Sequence, residues 1–65
     1  MDIEVGTVLL IRRGDSLPRV TVTVTGIRAS VDGDTMKITV TIRDSEGNET
    51  KVGAFALAHW RAAAK

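Results

Sequence analysis

Residues 20–25 read Val20-Thr21-Val22-Thr23-Val24-Thr25, and residues 36–43 read Met36-Lys37-Ile38-Thr39-Val40-Thr41-Ile42-Arg43. Both segments alternate apolar and polar side chains, and most of those side chains are β-branched. Successive side chains of an extended chain point to opposite sides. Val20, Val22 and Val24 therefore share one face, and the intervening threonines share the other. Met36, Ile38, Val40 and Ile42 form a second apolar face, backed by Lys37, Thr39, Thr41 and Arg43. This pattern predicts two strands, each with one buried and one wet side.

Their pairing must set apolar on apolar, because a slip of one residue turns the whole buried face to water. A two-residue turn at Asp32-Gly33 would place Val24 opposite Thr41. A three-residue loop, Val31-Asp32-Gly33 with Gly33 left-handed, instead predicts Val24 on Val40, Val22 on Ile42, Thr25 on Thr39 and Thr23 on Thr41. The same rule at Ser45-Glu46-Gly47 pairs Asp44 with Asn48, Arg43 with Glu49, Val40 with Val52 and Ile38 with Ala54. The expectation is a three-strand antiparallel meander over residues 19–54.

Upstream, residues 3–12 read as a longer first strand that bends at Gly6. Its run Val8-Leu9-Leu10-Ile11 is apolar on both faces, as in a strand shared between two sheets. Residues 13–18 form a loop that Pro18 ends. Downstream, residues 54–65 lose the β-branched residues and gain alanine and leucine, which predicts a helix or a short 3₁₀ turn. Phe55, Ala56, His59 and Trp60 would line its apolar stripe, and residues 62–65 read as a fraying end.

The chain has 65 residues, enough for one domain spanning 1–65. A domain of this size buries only about 60% of its unfolded surface, so its stability margin is thin. There is no cysteine and one histidine, so neither a disulfide nor a thiolate-metal site is expected, and no cofactor is implied. Nine basic and eight acidic residues give a net charge of +1, too even to imply nucleic acid or a membrane on electrostatics alone. No apolar run approaches the roughly 18 residues of a membrane-spanning helix. The acidic start Met1-Asp2-Ile3-Glu4 lacks the basic-then-apolar order of a signal peptide, which fits cytoplasmic or recombinant expression.

A bent first strand, a loop, a three-strand meander and a short terminal helical turn resemble the SH3-like small barrels. The resemblance covers nearly the whole chain and implies an all-β closed barrel of about five strands with a short C-terminal helical turn. Barrels of that kind bind proline-rich peptides, methylated tails, RNA or DNA, and some assemble into rings. The chain lacks the Ala-Leu-Tyr-Asp-Tyr motif and paired tryptophans of SH3 domains proper. With no tyrosine, one tryptophan and one phenylalanine, it is short of rings for a methyl-lysine cage or a base-stacking platform. The regular valine/threonine alternation and repeated acid-glycine loops also resemble de novo designed barrels. That resemblance implies a stable scaffold with no natural biochemical activity, no enzyme chemistry and no required partner.

The alternative is a small binding module that contacts nucleic acid or a protein through Arg12, Arg13, Arg19 and Arg28 near the first loop, with Trp60 as a pocket wall. The plainer expectation is that the arginines are solvated and Trp60 caps the core. His59 has no evident acid or nucleophile partner for general-base work. Arg13-Gly14-Asp15 spells an integrin-binding triplet, short enough to arise by chance. Asp32-Gly33-Asp34 has calcium-loop flavour without the remaining ligands, and reads as a turn. The threonine array reads as solubilised strand surface, on a sheet too twisted for ice binding. Edge strands leave homo-oligomer formation open.

Overall fold

The computed structural model describes residues 3–65; the Met1-Asp2 start of the chain lies outside the described residues. Four strands, β1 (Val8–Ile11), β2 (Val20–Asp32), β3 (Thr35–Arg43) and β4 (Glu49–Gly53), precede one helix, α1 (Ala54–Ala63). They form a single antiparallel sheet in the order β1-β2-β3-β4, so the expected meander is present. The expected closed barrel of five strands is not. β1 and β4 stay at opposite edges of an open sheet. They are only four and five residues long, and α1 covers the apolar face that closure would otherwise bury.

The core lies between that face and the helix. Leu9 and Ile11 from β1, Val22 and Val24 from β2, Val40 and Ile42 from β3, Val52 from β4, Leu57 from α1 and Ile3 make one buried cluster. No described charged or polar side chain is buried.

The helix forms where alanine and leucine replace the β-branched residues, as expected, but its buried stripe differs from the expected one. Leu57 is fully buried, Ala56 and Trp60 pack beside it, and Ala64 follows at the same angular position. Phe55 is 90% exposed and His59 also faces water. Residues 57, 60 and 64 recur at the helical spacing that keeps one face on the sheet, whereas Phe55 and His59 fall outside that arc. Ten residues are too few for a stable isolated helix, so docking of Leu57 holds α1 in place.

The expected strand over residues 3–12 shortens to Val8–Ile11, because the chain turns at Val5 and Gly6, where Gly6 has φ 96°. The pairing beside β2 nevertheless continues past β1. Gly6 N–H donates to the Val24 carbonyl at 2.8 Å, and Val24 N–H donates to Thr7 O at 2.8 Å.

The second hairpin has the expected register through Arg43 on Glu49 and Val40 on Val52. Asp44 N–H donates to the Asn48 carbonyl at 3.0 Å, and the Asp44 carboxylate accepts from the amides of Glu46 and Asn48. Ile38 does not reach Ala54: the ladder ends at Thr39 on Gly53, because Ala54 already begins α1.

The first hairpin corrects the expected register. Asp32 pairs with Thr35 across a two-residue turn, Gly33-Asp34, and the ladder runs down to Ile27 on Val40 and Gly26 on Thr41. A bulge then intervenes between Val24 and Gly26, after which Val24 pairs with Ile42 and Thr23 with Arg43. Thr23 and Thr41 are thus not opposed, nor are Val24 and Val40. Apolar matching along β2 requires one odd residue somewhere. The expected register put it in the turn, whereas the chain puts it inside the strand, at Thr25. A glycine with positive φ (62°) at the first turn position, followed by a residue without one, is the pattern of a type II′ hairpin turn.

Gly33 (φ 62°) and Gly47 (φ 87°) both hold conformations that a β-branched side chain resists. Replacing either with valine is expected to cost about 1 kcal/mol or more, read as a melting temperature lowered by roughly 4–8 °C per kcal/mol. Leu57→Ala is expected to cost about 2–5 kcal/mol and to remove most of the helical circular-dichroism signal.

Candidate functional site

The loop after β1 brings together most of the residues singled out in the sequence. Arg12, just after β1, is half-buried and turns its guanidinium back onto its own loop. Its Nε donates to the carbonyls of Gly14 and Leu17, both at 3.1 Å, and its Nη2 donates to the Asp15 carbonyl. Three backbone acceptors of residues 13–18 thus converge on one planar fork, a geometry that a lysine ammonium cannot reproduce. The Arg12 N–H donates to the Trp60 carbonyl at 3.0 Å, joining this corner to α1.

Arg13 lies over the Trp60 indole, its Cζ 5.0 Å from the ring centroid, within cation–π range. Trp60 is half-buried against the core, so one part of the ring packs on it while the guanidinium covers another. Arg19, just before β2, reaches 45 residues along the chain, and its Nε donates to the Ala64 carbonyl at 2.7 Å. A cation at the last carbonyls of a helix complements the partial negative charge there.

Arg28 stands apart. It sits on β2 beyond the bulge, opposite Thr39, and lines a surface groove with Gly26, Ile27, Thr41 and Lys51. Arg12, Arg13, Arg19 and Trp60 thus share one end of the molecule, around the loop and the helix C-terminus, while Arg28 belongs to the projecting hairpin.

Beside the first loop is a cleft of about 210 Å³, lined by Ile11, Leu17, Pro18, Val20 and Val22, with Arg13 and Asp44 also on its wall. Small-molecule sites run to roughly 300–1,000 Å³. No group of three or more His, Asp or Glu side chains among the described residues is placed to hold a metal ion. His59 is exposed on α1. No described helix is long and apolar enough to cross a membrane.

The residues that sequence reasoning missed lie on the β2–β3 hairpin. Its far end carries Val31 (75% exposed) and Met36 (65% exposed) on the same side as the core, and Phe55 stands near Met36 and Ile38 across a shallow groove. The signal was present in the sequence: Ile27, Ala29 and Val31 alternate on odd positions, out of phase with Val20, Val22 and Val24.

Compared with known protein families, curated proteins and solved structures, the chain matches none.

Arg19→Gln is expected to lower stability by about 1 kcal/mol and to fray the last helical turn, seen as lost far-ultraviolet helix signal. Arg12→Lys should cost a similar amount through the loop, while Arg28→Ala stays within about 0.5 kcal/mol of the parent in thermal melts.

Proposed function

We propose that this chain is a non-catalytic β-sheet scaffold of design-like regularity, whose working property is its fold. The observation that carries this reading is the placement of the arginines. Arg12 gathers the loop carbonyls, Arg13 covers Trp60, and Arg19 meets the end of α1. Side chains that a phosphate-binding surface would aim outward are engaged with the chain itself. The regularity of the backbone supports the same reading. Every positive φ among the described residues falls on a glycine, and no buried side-chain nitrogen or oxygen there lacks a partner. These are the properties sought in idealised scaffolds.

The competing reading is a small module that contacts nucleic acid or a protein through this corner. It draws on the Arg13–Trp60 pair, an exposed guanidinium beside an aromatic ring. One titration separates the two for nucleic acid. Mixed-sequence single-stranded RNA and duplex DNA, added at about 50 mM salt, are expected to leave Trp60 fluorescence unchanged. Binding whose log affinity falls linearly with log salt, and which Arg13→Ala weakens, would overturn the scaffold reading.

A further inference from the structure

The β2–β3 hairpin outruns its neighbours. β1 pairs with β2 only at residues 20–23, the preceding turn reaches Val24, and β4 stops at Thr39. Residues 27–32 of β2 therefore form an open edge, with no backbone hydrogen bond beyond the ladder to β3 among the described residues. The long dimension of the molecule, 37 Å against 23 and 19 Å, reflects this projection.

Hairpin geometry says which groups the edge presents. Asp32 and Thr35 flank the two-residue turn and form its closing pair. Antiparallel alternation then aims the amides of Arg28, Ser30 and Asp32 at β3, and those of Ile27, Ala29 and Val31 away from it. Those same three side chains lie on the core side of the sheet, across from Val40, Ile38 and Met36. Arg28, Ser30 and Asp32 lie on the other face. The edge thus combines unpaired donors and acceptors, an apolar row and a charge gradient, with Arg28 at the base and Asp32 and Asp34 at the tip.

We propose that a second copy of this chain occupies the edge, β2 antiparallel to β2 about a two-fold axis at Ala29. This register pairs all three outward-facing residues: Ala29 on Ala29 of the second copy, and Ile27 on Val31 of the second copy, twice. On the opposite face it makes Asp32 of the second copy a diagonal neighbour of Arg28, again twice. The basic base of each hairpin meets the acidic tip of the other, a complementarity that a parallel pairing would replace with like charges. The contact is isologous and closes on itself. A strand pair this short buries less than the roughly 800 Å² per partner of a standard stable interface, so the dimer is concentration-dependent.

Light scattering and sedimentation from about 10 μM to about 1 mM protein test the assignment. The mass is expected to rise from 7.0 kDa to twice that value. Ala29→Pro removes the central edge amide without touching the ladder to β3, and should weaken association by about tenfold or more. If circular dichroism shows that this variant has lost its fold, Val31→Lys serves in its place. Arg28→Asp should weaken association by about fivefold, and Arg28→Asp combined with Asp32→Arg should restore it, which a merely destabilised hairpin would not do. A single-chain mass across the whole range would overturn the proposal. So would a dimer indifferent to these changes, which would place the contact on another face.

Discussion

The apolar side chains of β2 must all fall on one side of the sheet to match those of β3, and their phase along β2 decides whether they do. Val22 and Val24 lie at even positions, Ile27, Ala29 and Val31 at odd ones, and a regular strand would put the two sets on opposite faces of the sheet. The bulge at Thr25 removes the conflict by absorbing one residue, so that Val24 meets Ile42 and Ile27 meets Val40 on the same side. Thr25 is also tied down, since its hydroxyl donates to Glu49 Oε2 at 2.9 Å, and Arg43 meets that same carboxylate oxygen at 3.4 Å. These are exposed polar contacts of small energetic weight. The continuity of the core, from Leu9 through Val40 to Val52, is what the bulge secures.

The helix completes what the sheet leaves open. A four-stranded sheet with short outer strands has two edges and one apolar face to cover, and α1 packs against β1, β3 and β4 with Leu57 fully buried in the shared core. Ala56, Trp60 and Ala64 extend the contact, and the hydrogen bonds from Arg12 and Arg19 fasten the far end of α1 to the segments flanking the first loop. The Arg13 and Arg19 side chains and the Arg12 backbone N–H thus tie distant parts of the sequence together, which fits a chain with little buried area to spare.

Much of this was legible in the residues. The three-strand meander, the Ser45-Glu46-Gly47 turn, the positive φ of Gly33 and Gly47 and the helical terminus all follow from local pattern and turn chemistry. Two things did not follow. Turn length and an internal bulge satisfy the same parity requirement, and only the second phase-shifted triplet, Ile27-Ala29-Val31, distinguishes them. Closure of the sheet depends on whether β1 meets β4, a non-local matter that short edge strands and a covering helix decide. The arginine corner was half legible. Proximity of Arg12, Arg13 and Arg19 to the first loop could be read from spacing, but their partners Trp60 and Ala64 lie at the other end of the sequence.

That separation bears on how the chain is made. The hairpins of the meander join residues close in sequence and can pair as soon as they are synthesised, whereas the contacts of residues 60 and 64 close loops of more than forty residues. A nascent chain that has left the ribosome only as far as Gly53 has its strands but not Leu57. Its valine and isoleucine face is then bare during the interval in which other nascent strands are near. The ties of Arg12 and Arg19 need residues 60 and 64, so they can form only after Leu57, which covers that face, has also been made.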